Sequence, residues 1–136
     1  MEEKRPKVGV GVFVIKGDKV LFQKRKGKHG SGTWCLPGGH LEFGETIESC
    51  AARETMEEMG VGIKNIKIGP FTNDIHVTED KHYITIFVIS EYDFGNPAVM
   101  EPEFCEAAEW MGWDDLPSPL FLPLKNLLET GYNPFN

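Results

Sequence analysis

Hydrophobic and β-branched residues alternate with small residues along residues 8–15, with the period of two that is typical of a strand. The polar, glycine-containing segment 16–19 predicts a turn and residues 20–25 a second strand, so the two segments form a hairpin. Later segments with the same strand-like composition are 63–68, 72–77, 82–89 and 107–113. The pattern therefore predicts a domain built around a β-sheet.

Two other segments have helical composition, residues 46–59 and residues 121–130. The first contains no internal Gly or Pro, and each segment is followed by a glycine of the kind that ends helices, Gly60 and Gly131. We expect the arc of the first helix that lies away from its glutamates to be buried, namely Ala52, Thr55, Met56 and Met59.

Three glutamates of the first helix share one arc of its surface. At about 100° per residue, Glu54 and Glu58 lie one turn apart and Glu57 lies beside them. Like charges at these spacings repel each other by about 0.2–0.5 kcal/mol per pair. A hard divalent cation such as Mg²⁺ or Mn²⁺ prefers oxygen ligands and would turn the repulsion into binding. The cluster predicts a metal site, with a solvated acidic face as the alternative.

These glutamates belong to a longer motif. Its fixed positions, with the number of intervening residues, are Gly39, five residues, Glu45, seven residues, Arg53-Glu54, two residues, Glu57-Glu58, one residue and Gly60-Val61. This order resembles the signature box of the Nudix (MutT-like) hydrolases, and every fixed Gly, Glu and Arg of that box is present. One position departs from the family pattern, because Thr55 stands where a larger aliphatic residue is usual. We expect a small packing effect and no loss of catalysis.

The resemblance implies a role for each matching residue. It implies Mg²⁺, with Mn²⁺ as a substitute, held by the box carboxylates and a backbone carbonyl of the glycine pair, that is by Gly38, Gly39, Glu54, Glu57 and Glu58. Glu54 would also act as the base on the attacking water. Arg53 would hold the carboxylates in place, and Glu45 would brace the junction of loop and helix.

The resemblance also implies the architecture. The family fold is an α/β fold, the Nudix α/β/α sandwich, with a mixed β-sheet and a catalytic loop-helix-loop, and the order of predicted elements matches it over nearly the whole chain. Residues 33–37 resemble the short strand that leads into the box. A chain of 136 residues has room for a single core. We therefore expect one Nudix hydrolase domain over residues 1–136.

Composition limits the classes of partner. Hydrophobic residues make up 40% of the chain and charged residues 26%, which is ordinary for a globular protein. The net charge of −7 argues against a nucleic-acid polymer as partner, since such binders usually carry a basic face. The charged start, residues 1–7, shows no signal-peptide pattern, and no apolar run approaches the length of a membrane span. We expect a cytoplasmic protein without a membrane partner.

The three cysteines support the same compartment. They are widely spaced and form no CxxC pair, which predicts reduced thiols that serve as small apolar residues: Cys35, Cys50 and Cys105.

The main basic cluster consists of Lys24, Arg25 and the loop 26–32. A clamp on substrate phosphates and a solubilising loop are both compatible with this composition. We favour the clamp, and Arg25 within it, because a guanidinium can grip two phosphate oxygens at once.

Further matches narrow the resemblance. Residues 36–45, 101–103, 119–121 and 131–135 are similar to those of small cytosolic MutT-like nucleoside triphosphate diphosphatases. Members of that subgroup release a monophosphate and pyrophosphate from nucleoside triphosphates, including oxidised or modified ones. They tend to be homodimers, and we expect a homodimer here.

Within that subgroup, the resemblance implies substrate contacts at Gly39, His40, Thr85, Phe121, Leu122 and Leu124. Relatives often carry Trp at the position of Leu122, so the preferred base is the least transferable feature. Taken alone, His40 would be an ordinary loop histidine, and Phe121 and Leu124 would be core residues of an amphipathic helix.

An acidic segment precedes the last predicted strand and contains Glu101, Glu103 and Glu106. Nudix enzymes often recruit another acidic residue from outside the box as an extra metal ligand or base. We select Glu103 for this role, with surface charge as the alternative.

Together these features predict metal-dependent hydrolysis of a nucleoside triphosphate to a nucleoside monophosphate and pyrophosphate. Another diphosphate remains an alternative, such as ADP-ribose, a nucleotide sugar, a dinucleotide, capped RNA or a prenyl diphosphate, because the box handles only the phosphates. The chain lacks the Ser-Gln-Pro-Trp stretch of NADH-type members, which favours triphosphates. A non-catalytic nucleotide-sensing module is the second alternative, and the complete set of box carboxylates argues against it.

Overall fold

The structure is a computed structural model that describes residues 4–27 and 29–136. Residues 1–3 of the predicted charged start, and Lys28 of the predicted basic loop, lie outside the described residues.

The described chain contains strands, two α-helices and one short 3₁₀ turn. In order they are β1 (Lys7–Lys16), β2 (Lys19–Arg25), β3 (Trp34–Cys35), β4 (Gly38–His40), α1 (Ile47–Met59), β5 (Gly62–His76), the 3₁₀ turn (Val77–Glu79), β6 (Lys81–Phe94), β7 (Cys105–Gly112) and α2 (Leu122–Glu129). No helix among the described residues is long and apolar enough to cross a membrane.

The strands form one mixed sheet in the order β3-β2-β1-β6-β5, with β4 paired to β1 and β7 paired to β2. Strand β1 runs parallel to β6 and antiparallel to β2 and β4. The pairing of β4 with β1 brings the glycine pair of the box to the centre of the sheet.

Side chains of β1 alternate between two cores. Val10, Val12 and Val14 pack with residues of α1 on one face of the sheet. Phe13 packs on the other face with Leu124 and Leu127 of α2. This alternation follows from the period of two along a strand. It places one helix on each face, and the predicted α/β/α sandwich with a mixed sheet is confirmed.

Helix α1 begins and ends close to the predicted bounds. The Thr46 side chain accepts a hydrogen bond from the Ser49 amide at 3.1 Å, and the Gly60 amide donates to the Met56 carbonyl at 3.0 Å. Such caps satisfy backbone groups that the helix leaves unpaired.

The predicted buried arc of α1 is partly wrong. The buried residues are Cys50, Ala51, Thr55 and Met59. Met56 is 40% exposed and Ala52 is only partly covered. The arc is rotated towards the glutamates because α1 packs against β4 as well as β5, and β4 covers the side that carries Glu54. Thr55 is fully buried, and its hydroxyl donates to the Ala51 carbonyl at 2.7 Å.

Two predicted strands are one continuous strand in the structure. Residues 63–68 and 72–77 both lie in or next to β5, which pairs with β6 along its length. Irregular pairing at Lys64/Lys67 and at Ile68/Phe71 breaks the alternation that a sequence pattern detects. Strand β6 extends five residues beyond the predicted segment 82–89, because pairing with β5 continues to Phe94.

Candidate active site

A cleft of about 720 Å³ opens at the junction of β1, β4, α1 and the start of α2. Carboxylates line one part of its wall, including Glu54 and Glu58, and histidine, tyrosine and phenylalanine rings line another. The cleft therefore offers a charged region beside an aromatic one.

The glycine pair of β4 allows the helix carboxylates to reach the sheet. A Cβ atom on Gly39 would lie 2.1 Å from Oε2 of Glu54, and a Cβ on Gly38 would lie 1.9 Å from the Val10 carbonyl oxygen. Neither position has space for a side chain. The two glycines are thus required by close packing of backbone against carboxylate and of strand against strand.

Glu58 is held at the floor of this charged region. Its Oε1 accepts hydrogen bonds from the Gly38 amide at 2.8 Å and from Nε2 of Gln23 at 3.1 Å. Burial, with a contribution from the nearby charge of Glu54, raises the pKa of Glu58 to about 8. The carboxyl group is therefore costly to ionise without a cation beside it.

Arg53 lies at the centre of an ion-pair network on the same helix. Its Nε donates to Oε2 of Glu45 at 2.7 Å and its Nη2 to Oε1 of Glu45 at 3.0 Å, a bidentate arrangement. Its Nη1 donates to Glu54. The bond to Arg53 lowers the pKa of Glu45 to about 2. Arg53 thus connects the loop at Glu45 to the cleft carboxylate Glu54.

Glu57 lies outside the cleft. Its side chain is about half exposed, and its Oε2 accepts from Nη1 of Arg53 at 3.2 Å. This geometry places Glu57 among the partners of Arg53, at the edge of the carboxylate pair.

The donor set of the charged region fits a hard divalent cation. Burial raises the pKa of Glu54 as well as that of Glu58, so two carboxyl groups are sheltered from water beside each other. Glu42 and Glu101 line the same cleft. Carboxylate and carbonyl oxygens are the ligands that Mg²⁺ and Mn²⁺ prefer, and a bound cation would offset this concentration of negative charge.

The predicted acidic ligand outside the box is placed differently from our expectation. Glu103 is exposed and does not line the cleft. Glu101 does line it, and its charge contributes to the raised pKa values of Glu54 and Glu58. Both residues belong to the same acidic segment, and only the path of the loop separates their positions.

The basic cluster divides between the cleft and the surface. Arg25 lines the cleft, with its guanidinium carbon 4.1 Å from the centre of the Phe121 ring and its Nε donating to the His29 carbonyl at 3.0 Å. Lys24, predicted as a substrate contact, instead points to the other face of β2 and pairs with Glu106 at 3.2 Å. Lys26 of this cluster also lines the cleft.

Most predicted substrate contacts line the cleft, namely Gly39, His40, Thr85, Phe121 and Leu124. Leu122 does not line it, although it is the first residue of α2. Helical geometry turns Leu122 away when Leu124 faces the core.

The rings of Tyr83, His29 and His76 also belong to this aromatic region. His40 stacks on Tyr83, with ring centres 5.4 Å apart and a hydrogen bond of 3.0 Å between Nε2 and the Tyr83 hydroxyl. His29 and His76 also line it. The alternation of β6 could have indicated Tyr83, which shares a face with Thr85. The positions of His29, His76 and Gln23 depend on tertiary contacts.

A buried carboxylate supports this wall from behind. Asp74 is fully buried and accepts hydrogen bonds from the hydroxyls of Thr72 at 2.9 Å and Thr85 at 2.6 Å and from the Asn126 amide at 2.9 Å. These bonds hold the predicted contact Thr85 between β5 and α2.

Comparisons with known proteins agree with this geometry. A family model described as NUDIX domain matches residues 5–130. The NAD-capped RNA hydrolase NudC of Shigella flexneri is 32% identical over 111 residues, which are 78% of this chain and 39% of that protein. The chain therefore spans about two fifths of the length of the curated relatives it matches.

Solved structures show the same fold. A MutT NUDIX hydrolase from Burkholderia pseudomallei superposes with a TM-score of 0.86 at 31% identity, covering 93% of this chain and 98% of that one. The MutT protein from Methanosarcina mazei Go1 has a TM-score of 0.78 at 20% identity, covering 96% and 95%, which supports the fold alone. With the box carboxylates gathered on α1 beneath the glycine pair, and with the family model matching nearly its full length, the chain belongs to the Nudix family.

Proposed function

We propose that this protein is a divalent-metal-dependent hydrolase of a phosphoanhydride bond in a nucleoside diphosphate-linked substrate, and that nucleoside triphosphates are its leading substrates. One observation carries the proposal. The sheltered carboxylates Glu54 and Glu58 lie beside the Gly38-Gly39 backbone in the same cleft as a region lined by aromatic rings. Such clefts commonly hold small ligands.

The box residues would bind the cation and the attacking water. Glu54, Glu58 and a carbonyl of Gly38 or Gly39 are the proposed ligands, and Glu57 would join them only after release from Arg53. Mg²⁺ held there would neutralise phosphate charge and lower the pKa of a bound water. Burial raises the pKa of Glu54, and a raised carboxyl pKa suits a group that takes up a proton from water.

The remaining residues would orient the substrate. Arg25, which lines the cleft against the Phe121 ring, would contact phosphate oxygens. His40 and Tyr83 form a stacked pair that offers an aromatic surface to a base. Water oxygen would then bond to phosphorus, and the phosphoanhydride bond would break. For a triphosphate the products are a nucleoside monophosphate and pyrophosphate.

A dinucleotide of the NAD type is a second candidate substrate. It is favoured by the 32% identity over 111 residues to a protein described as an NAD-capped RNA hydrolase. The absence of a Ser-Gln-Pro-Trp stretch argues for triphosphates instead. Either substrate would use the same carboxylates, since both contain a phosphoanhydride.

A hydrolysis screen tests the proposal. Purified protein is incubated with Mg²⁺ and natural or oxidised dNTPs, NTPs, ADP-ribose, NADH and a prenyl diphosphate, with Glu58→Gln as control. Pyrophosphate release from one triphosphate would support the leading assignment. Turnover of NADH or ADP-ribose alone would keep the metal chemistry and replace the substrate. Absence of turnover with every substrate, combined with nucleotide binding, would favour a sensing module.

We also propose that the protein works as a homodimer in the cytoplasm on soluble nucleotides. Edge strand β5 carries exposed apolar side chains at Ile68, Phe71 and Ile75, which a second copy could cover. Light scattering after size exclusion, with Phe71→Lys as the variant, tests the assembly. A monomer for both proteins would contradict it.

A further inference from the structure

A second group of metal-binding side chains lies at the aromatic end of the cleft, apart from the box carboxylates. His29 belongs to the loop after β2, His76 is the last residue of β5, and Glu79 ends the 3₁₀ turn. One ligand atom from each residue lies within 4.8 Å of the others. The loop after β2 therefore brings His29 to His76 and Glu79, which lie three residues apart at the end of β5.

The convergence leaves one buried group unsatisfied. His76 is only 7% exposed, and its Nε2 has no hydrogen-bond partner among the described residues. Nδ1 of His29 and Oε2 of Glu79 contact each other. Buried polar atoms nearly always have partners, so this unpaired nitrogen of His76 is available to a ligand.

The donor types select the class of ligand. Two imidazoles and one carboxylate form a set that binds Zn²⁺ and related first-row transition metals, whereas Mg²⁺ prefers oxygen ligands alone. Burial lowers the pKa values of both His29 and His76, and the neutral imidazole is the form that binds metals.

The spacing is close to that of an assembled site. Zinc lies about 2.0–2.2 Å from nitrogen and oxygen ligands, so ligand atoms in a tetrahedral site lie about 3.3 Å apart. The ligand atoms of the cluster lie within 4.8 Å of one another, which is within about 1.5 Å of that separation. A bound ion would also lie between Nδ1 of His29 and Oε2 of Glu79, which contact each other here.

Charged groups of both signs surround the site. The carboxylates of Glu79 and Asp74 raise the pKa of His76, and the cations Arg25 and Lys81 lower it. The two carboxylates would attract a divalent ion, and the two cations would oppose it.

We infer that His29, His76 and Glu79 form a transition-metal site of the Zn²⁺ type, separate from the carboxylate site. The site joins the loop after β2 to the turn that follows β5. It also touches the substrate wall, because the His29 carbonyl accepts from Arg25 at 3.0 Å and the Phe121 ring centre lies 5.2 Å from that of His29. Metal binding itself does not depend on the proposed hydrolysis, whereas any effect on substrate affinity rests on it.

Metal titration of chelator-treated protein tests the site. Zn²⁺ binding is measured by calorimetry in Glu58→Gln, in which the carboxylate site is disabled. We expect one Zn²⁺ per chain in this background. His29→Ala and Glu79→Gln are each expected to weaken it by more than the roughly 100-fold that changes outside the ligand shell can cost. Unchanged binding in both variants would overturn the assignment, and so would failure of the Glu58→Gln protein to bind.

His82→Ala is the matched control. His82 lies on the neighbouring strand, and its Nε2 contacts Oδ1 of Asn73 at 2.6 Å, outside the cluster. We expect the His82→Ala variant to retain Zn²⁺ affinity. His76 is buried and its replacement can unfold the protein, so His29 in the loop is the primary variant and circular dichroism verifies its fold.

Cobalt absorption identifies the ligands. Co²⁺ in a nitrogen and oxygen site gives tetrahedral d–d bands, which we expect in Glu58→Gln and not after addition of His29→Ala. A thiolate-to-cobalt charge-transfer band would place the metal on a cysteine, such as Cys35 or Cys105 of the cleft, and would overturn the inference. Zinc binding without hydrolysis of any substrate would leave the site standing while the proposed function fails.

Discussion

The Gly38 amide donates a hydrogen bond of 2.8 Å to Oε1 of Glu58 and so ties the sheet to the catalytic helix at the floor of the cleft. This bond stabilises the carboxylate form of Glu58, yet burial still raises its pKa to about 8. A sheltered carboxyl group with one fixed backbone donor has few ways to ionise other than binding a cation.

Glu58→Gln is expected to lower kcat by several orders of magnitude, because the amide removes the negative charge that binds the cation. The fold should persist, since the amide oxygen can still accept from the Gly38 amide. Steady-state kinetics with Mg²⁺ measure the first effect and circular dichroism the second. Near-normal turnover would exclude Glu58 as a metal ligand.

The metal-free protein is expected to lose stability as the pH rises from about 4.5 to about 8. The folded-state pKa of Glu58, about 8, lies above its ordinary value of 4.5, so the unfolded chain releases this proton first. Glu54, whose pKa is also raised by burial, contributes in the same direction. Glu45 has a lowered pKa of about 2 and loses its contribution only below pH 4.5. The free energy of unfolding, measured by urea denaturation with a chelator present, gives the slope.

Two comparisons identify the source of this slope. Glu58→Gln should flatten it, and Mg²⁺ should raise the melting temperature at pH 8 in the wild type much more than in this variant. An identical slope in both proteins would assign the pH dependence to other groups.

Gly39→Ala is expected to abolish most activity with a smaller effect on stability. The added Cβ would meet Oε2 of Glu54 at 2.1 Å, so the carboxylate must move away from the cleft position. Gly112→Ala is the matched control, because a Cβ there meets nothing closer than Asp115 at 3.9 Å. The value of kcat/KM is measured for each variant relative to the wild type. Equal relative values for Gly39→Ala and Gly112→Ala would show that the Glu54 position does not matter for turnover.

Glu101→Gln is expected to raise the Mg²⁺ concentration needed for half-maximal activity. Glu101 lines the cleft, and its negative charge raises the pKa values of Glu54 and Glu58. Glu103→Gln, in the same acidic segment but exposed, should leave kcat and metal dependence unchanged. Titration of activity with Mg²⁺ separates the two. The opposite result would return the role of extra acidic ligand to Glu103.

Arg53→Lys is expected to lower kcat by more than 10-fold, because one ammonium cannot replace the bidentate bonds to Glu45 and the bond to Glu54. The readout that separates positioning from general stability is the Mg²⁺ dependence, which should shift towards higher concentrations. Lys24→Gln removes only a surface pair with Glu106 and should change unfolding free energy by less than about 1 kcal/mol. A similar loss of activity in both would contradict the role of Arg53.

Local features of the sequence were sufficient to predict helix α1, most strand positions and the family. The motif from Gly39 to Gly60 spans β4, one loop and α1, which follow each other in the chain, so the resemblance depended on residues whose relative positions are set by local geometry. The period of two along β1 likewise predicted a strand. Nearest-neighbour backbone geometry determines such patterns, and no distant contact is needed to read them.

Contacts between residues distant in the chain determined the features that the sequence did not predict. Pairing of β5 with β6 joined two predicted strands, and packing of α1 on β4 buried Cys50 and Ala51 in place of Met56. The choice between Glu101 and Glu103 depended on the path of one loop. The meeting of His29, His76 and Glu79 depended on where the loop after β2 crosses the end of β5. His29 is far from His76 and Glu79 in the chain and shares no periodicity with them. Only the folded sheet brings it to the same wall of the cleft.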